Sequence, residues 1–152
     1  MQIYLVTTDL SEESKASFAT AAALARRNQA KIVLLAVIED AAQAAMLYAM
    51  EFPVSPSDNL QRQFLDTVTA ELQAMAAEFF ADLESEIVVI ESSKNAALEI
   101  TAYAAKHKVD LIIMSTRGKS GIARLLTGSV TIQVLREAPC PVLVVPLKSS
   151  NS

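Results

Sequence analysis

The sequence predicts an open, doubly wound α/β fold built on a parallel sheet, and three observations predict it. Short, continuously apolar runs alternate with longer stretches of helical period. The run over residues 32–38 (IVLLAVI) is apolar at every position, which suits a parallel strand covered on both faces. The order is strand then helix, four times over, closed by a fifth strand. Parallel neighbours need such crossovers, and these are nearly always right-handed.

The first strand covers residues 3–6. A helix is predicted over 11–27, with Ser11 as its N-cap, Glu12 and Glu13 favouring its positive end, and Arg26 and Arg27 its negative end. Phe18, Ala21, Ala22 and Ala25 share its apolar face. The second strand is 32–38. The segment 39–59 begins helix-like over 41–50 and then meets Pro53 and Pro56, so it reads as a loop or excursion. Its role stands open between a lid, an idle insertion and a Met- and Ala-rich surface for a dimer or partner. A long helix is predicted over 60–83, with Phe64, Val68, Leu72, Met75, Phe79 and Leu83 spaced by three or four. The third strand is 87–90. A helix over 95–108 is predicted to turn Leu98, Thr101, Ala102 and Ala105 inward. The fourth strand is 111–114, a glycine-containing loop covers 115–127, a helix covers 129–137, and the last strand is Val142–Val145. The expectation is one domain over 1–148 with a disordered tail at 149–152.

Composition narrows the function. At 152 residues the chain suits a single core, and its 52 % hydrophobic content is enough to pack one. The net charge of −4 and the lack of a polybasic run argue against nucleic acid as a partner. Charges interrupt every apolar stretch before the roughly 20 residues of a membrane span, so no membrane partner is expected. The start of the chain lacks the pattern of a secretory signal, and a cytoplasmic location is expected. The lone cysteine, Cys140, lies between Pro139 and Pro141 before an apolar strand and reads as a small buried hydrophobe.

Ligands of open α/β sheets bind at the carboxyl ends of the strands. That rule selects Thr7-Thr8-Asp9 after the first strand, the region of Val37 after the second, and the loop from Ser115 after the fourth. All three glycines of the chain, Gly118, Gly121 and Gly128, lie in this last loop. Gly128-Ser129 opens a helix. It is either a plain capped helix start or a phosphate site, where free amides and the helix dipole meet the Ser129 and Thr131 hydroxyls. Arg117, Lys119 and Arg124 are nearby cations. Gly118-Lys119-Ser120 resembles the end of a P-loop, but that motif needs glycine where Ile113 stands.

Two segments, LVTTDLSEES at the start and VDLIIMSTRGKSGIARLLTGSVTIQVLREAPCPVLVVP at the end, resemble the universal stress protein family. Nucleotide-binding members carry G-x2-G-x9-G-S/T in the last loop. This chain has Ser115-x2-Gly118-x9-Gly128-Ser129, with the spacing intact. The resemblance covers nearly the whole chain. It implies a Rossmann-like five-stranded parallel sheet, strand order 3-2-1-4-5, with helices on both faces. It implies binding of ATP, with Mg as a candidate companion of the phosphates, in a stress-response or regulatory role.

Carried over, the resemblance puts Thr8, Asp9 and Val37 at the adenosine end, with Val37 lining the base through its backbone. Met114 and Ser115 lie under the ribose. Arg117, Gly118, Gly128, Ser129, Val130 and Thr131 surround the phosphates. Three departures bear on this. Ser115 replaces the first loop glycine and either hydrogen-bonds the sugar or crowds it. Ser92-Ser93 replaces a glycine usual after the third strand, and Thr7 a proline before the Thr-Asp pair. The alternative is a member that binds no nucleotide and acts as a dimeric interaction module.

A catalytic reading needs a poised base or nucleophile. The only histidine, His107, falls near a helix end between two lysines, and one His with one Cys builds no triad or metal cluster. At most a slow ATPase is expected. The last strand, Val142–Val145, is an apolar edge between Pro141 and Pro146 that needs cover. The family pairs it across a two-fold axis, which implies a homodimer.

Overall fold

The computed structural model describes residues 1–52, 59–116 and 129–147. Its five strands are β1 (Ile3–Thr8), β2 (Lys31–Glu39), β3 (Ser85–Ser92), β4 (Leu111–Ser115) and β5 (Val142–Val145). They form one sheet in the order β3-β2-β1-β4-β5. Every pairing is parallel: Tyr4 lies against Ile32 of β2 and Leu111 of β4, and Ile113 lies against Leu143 of β5. The predicted strand order is therefore the observed one.

The described helices are α1 (Phe18–Asn28), α2 (Ala41–Glu51), α3 (Leu60–Phe79), α4 (Ala96–Lys106) and α5 (Ser129–Glu137). One face of the sheet carries Tyr4, Val6, Ile32, Leu34, Ala36 and Ile113, packed under Phe18, Ala21 and Ala25 of α1 and Val68, Leu72 and Met75 of α3. The other face carries Leu5, Val33, Leu35, Ile112 and Met114 under Ala97, Ile100 and Ala104 of α4 and Val134 of α5. Alternate residues of β1 and β2 thus enter two separate cores, the reason those strands are apolar throughout. The ring of Phe18 meets Phe79 edge-on at 5.2 Å and Phe80 at 5.7 Å, closing the first core.

Several boundaries differ from those the sequence predicts. The first helix begins as a 3-10 turn over Glu13–Ser17 before α1 proper. Ser11 is not the N-cap of either piece: Glu12 precedes the 3-10 turn and Ser17 precedes α1, neither with a side-chain capping bond, while Ser11 Oγ accepts from the Ser14 N–H at 3.1 Å within the turn leaving β1. Helix α3 ends at Phe79 rather than 83. Phe80 and Leu83 continue the apolar stripe in a tight turn, with the Leu83 N–H on the Phe80 carbonyl at 3.0 Å.

The inner face of α4 is Ala97, Ile100 and Ala104, not the Leu98, Thr101, Ala102 and Ala105 face; Leu98 is exposed. This phase buries Ile100 between two small alanines against the sheet, where the other phase would turn Thr101 inward with Leu98. Asp40, Asn59 and Asn95 cap α2, α3 and α4 through side-chain oxygens that accept from the amides of Gln43, Arg62 and Leu98.

Candidate functional site

Strands β2 and β4 flank β1, and the sequence-adjacent strands diverge there, which makes the carboxyl end of β1 the topological switch point of the sheet. The turn leaving β1 is held by its own side chains. The Leu10 N–H donates to Thr8 Oγ1 at 2.9 Å, the Thr8 and Ser14 hydroxyls lie 2.7 Å apart, and Ser14 Oγ donates to the Ser11 carbonyl at 2.7 Å. Since Ser14 gives its proton to that carbonyl, the proton between the hydroxyls comes from Thr8. This relay fixes Leu10 at φ 72, in the left-handed region.

Asp9, at the apex, accepts from the Ser11 N–H at 3.0 Å and from the Ser11 hydroxyl, both through Oδ1. Those contacts orient the carboxylate while using only one of its oxygens. The side chain of Thr8 is buried, and that of Asp9 is exposed.

A cleft of about 610 Å³ opens at this point. Its floor is the end of β1 with Ala36, Val37, Ile38 and Glu39 of β2, and Val130 in the first turn of α5 reaches its edge. The opposite wall comes from α2 and α3: Ala44, Tyr48, Phe52, Phe64, Thr67, Val68 and Glu71. That volume lies within the roughly 300–1,000 Å³ usual for small-molecule sites. The segment that the sequence left open between lid, insertion and docking surface is therefore, over α2, a wall of the cleft. Its outward side leaves Met46, Leu47 and Met50 exposed.

Of the predicted site residues, Thr8, Asp9, Val37 and Val130 line this one cleft. Met114 is buried in the core beneath α4 and α5. Ser115 ends β4 in register with Val145, and the next residue, Thr116, donates its N–H to the Val145 carbonyl at 3.1 Å. Thr131 is half-buried in the first turn of α5. Ser129 opens α5. Arg117, Gly118 and Gly128 lie outside the described residues, as do the cations Lys119 and Arg124 and the tail at 149–152.

The charge of the cleft is a feature the sequence reading missed. Asp9, Glu39 and Glu71 line it, and no Lys, Arg or His does among the described residues. Glu39 Oε1 accepts from the Ala96 N–H at 2.6 Å, so a carboxylate already satisfies the first turn of α4. The aromatic side chains Tyr48, Phe52 and Phe64 were also missed. Phe64 was read as core, and α2 gave no periodic signal to place Tyr48.

His107 lies apart from the cleft lining, stacked on Tyr103 at 4.1 Å at the end of α4. Half-buried Cys140 packs in the α4–α5 core, and burial, followed by the charge of Asp110, holds its thiol above the usual cysteine range. Among the described residues no group of three or more His, Cys, Asp or Glu could hold a metal ion. None of the described helices is long and apolar enough to cross a membrane.

Comparison with known proteins agrees with this fold. The model of the universal stress protein family matches residues 1–146. A putative universal stress protein of Staphylococcus aureus is 30 % identical over 145 residues, covering 93 % of this chain and 81 % of that protein. A universal stress protein of Methanocaldococcus jannaschii is 55 % identical over 49 residues, 32 % of this chain and 29 % of its own length.

Among solved structures, a hypothetical protein that served as a test case of structural genomics superposes with a TM-score of 0.78 at 24 % identity, covering 98 % of both chains. A universal stress protein in complex with cAMP has a TM-score of 0.61 at 24 % identity, with 97 % and 98 % covered. An Arabidopsis thaliana family protein with AMP bound has a TM-score of 0.62 at 17 % identity, with 100 % and 95 % covered.

Proposed function

The chain belongs to the universal stress protein family, and we propose that it is a regulatory binding protein whose cleft takes an adenine nucleotide, ATP among them. The observation that carries this reading is convergence. Thr8 and Asp9 after β1, Val37 at the end of β2 and Val130 at the start of α5 come from distant parts of the chain and line a single cleft at the switch point. Family members with cAMP and AMP bound share the fold.

In this reading the base lies on the backbone of Val37, and the oxygen of Asp9 not engaged by Ser11 accepts from a ribose hydroxyl. Met114 supports the floor from within the core, and Ser115 borders the ribose. The phosphates lie at the α5 N-terminus, on the amides of Ser129 and Val130 with Thr131 beside them, and Arg117, Gly118 and Gly128 complete that end. The carboxylates on the other side keep the phosphates away from β2 and α4. A magnesium ion bound with ATP is held by the phosphate oxygens, since the described residues offer no carboxylate cage.

The output is a change of conformation or association rather than a chemical product. His107 and Cys140, the residues most suited to acid–base or nucleophilic work, lie outside the cleft lining. The protein acts in the cytoplasm as a homodimer joined through the edge strand β5, and the acidic net charge disfavours nucleic acid.

Two observations favour the second reading, an interaction module without nucleotide: three carboxylates line the cleft, and Ser115 stands where the family has glycine. Calorimetric titration of the native protein with AMP and Mg-ATP decides between the two.

A further inference from the structure

The wall opposite Val37 and Ile38 is aromatic, and its geometry is specific. Tyr48 stacks on Phe52 with ring centroids 4.9 Å apart and planes 24° from parallel, and it meets Phe64 at 5.7 Å and 58°. The Tyr48 hydroxyl lies 3.4 Å from Thr67 Oγ1, which itself donates to the Gln63 carbonyl at 3.0 Å. All three rings border the cleft, although the buried stripe of α3 (Val68, Leu72, Met75) already secures that helix to the sheet. Aliphatic β2 forms the facing floor. A cleft with an aromatic wall, an aliphatic floor and no lining cation among the described residues suits a flat, uncharged ring system. It does not suit the anionic end of a ligand.

We infer that Tyr48, supported by Phe64, is the base-recognition wall of this cleft and stacks on the nucleobase, so that α2 acts as a specificity element of the site. The inference rests on the nucleotide reading and deepens it. Base–aromatic stacking is tolerant of base identity because every base has a π-face. The wall therefore selects for a nucleobase over a bare sugar phosphate, while hydrogen bonding at Val37 distinguishes one base from another.

Tyrosine emission gives a direct readout. The chain has no Trp and three Tyr. Tyr4 is buried, with its hydroxyl 2.6 Å from Asn28 Nδ2, and Tyr103 stacks on His107, so only Tyr48 borders the cleft. AMP is expected to quench part of the native emission, and Tyr48→Phe is expected to lose that quench. By calorimetry, Tyr48→Leu is expected to weaken AMP about ten-fold or more. Phe at this position restores most of that loss, and competition by ribose 5-phosphate against AMP keeps its native inhibition constant in each variant.

AMP affinity unchanged in Tyr48→Leu overturns the inference and leaves the nucleotide reading standing. Equal weakening of AMP and ribose 5-phosphate also overturns it, because it assigns Tyr48 a merely structural role. A native protein that binds neither AMP nor Mg-ATP overturns the nucleotide reading itself, and the base wall with it; where Mg-ATP alone binds, the same variants are compared with it.

Discussion

Glu39 Oε1, at the end of β2, accepts a hydrogen bond from the Ala96 amide at 2.6 Å, tying a central strand to the first turn of α4 across one edge of the cleft. The contact has two effects of opposite value. It satisfies a helix-terminal donor and places a carboxylate on the helix dipole, and it sets a negative charge in a cleft assigned to an anion. Glu39→Gln keeps the shape and removes the charge. The expected result is a loss of about 0.3–1 kcal/mol in stability by urea unfolding, together with tighter binding of ATP, several-fold at low salt and less at high salt. ATP affinity that is unchanged at low salt would show that Glu39 does not sense the phosphates.

Gln29 ends α1 in the left-handed region, at φ 54 and ψ 43, with its N–H on the Ala25 carbonyl. Leu10, Asp40 and Lys108 also hold positive φ without being glycine. Gln29 is exposed and its side chain is in no described hydrogen bond, so Gln29→Gly relieves the Cβ clash of that conformation. The expected outcome is a gain of about 0.5–1 kcal/mol in urea unfolding. Asp40→Gly should show no such gain, because Asp40 Oδ1 also accepts from the Gln43 N–H and caps α2.

Arg26 grips Asp82 with two hydrogen bonds, Nε to Oδ2 at 2.6 Å and Nη2 to Oδ1 at 3.0 Å, linking the end of α1 to the turn after α3. The hydrogen bond from Arg26 holds the Asp82 carboxyl below its ordinary value of 3.8. A depressed carboxylate contributes stability that is complete above the unfolded-state pKa and is lost as pH falls through the folded-state pKa. The native protein is therefore expected to exceed Asp82→Asn in melting temperature at pH 6, by a small margin for so exposed a pair, with the gap shrinking as pH falls below the ordinary carboxyl value of 3.8. A gap that widens on acidification would contradict the assignment.

Strand β5 pairs with β4 alone among the described strands, and its four residues are half-buried. A covered edge is expected in solution, so light scattering at micromolar concentration should return twice the chain mass of 16.3 kDa. Val144→Lys should shift that mass toward the monomer. A monomeric native protein would remove the dimer from the proposal without affecting the cleft.

Much of the fold was legible because its signals are strong. The run 32–38 suits a strand covered on both sides and lies within β2, and Phe18, Ala21, Ala22 and Ala25 are the buried face of α1. The phase of α4 was misread because both faces hold alanines, weak as hydropathy signals, so that one large residue on each face, Ile100 or Leu98, had to decide it. The end of α3 was overrun because Phe80 and Leu83 keep the apolar spacing after the helix has turned. For the site, Thr8, Asp9 and Val37 follow from the strand ends and Val130 from the family resemblance, and all four line the cleft. The Tyr48–Phe64 wall was not legible, because it depends on how α2 folds back on α3, a tertiary contact that no local pattern encodes.

Isothermal titration of the native protein with Mg-ATP, repeated with Ser115→Gly, tests the proposal that this cleft binds an adenine nucleotide despite Ser115. The expected result is saturable binding by the native protein at one nucleotide per chain, with Ser115→Gly altering the affinity only modestly. A flat titration for the native protein that becomes saturable in Ser115→Gly would contradict it, showing a cleft that this chain has closed and a function carried by its surfaces instead.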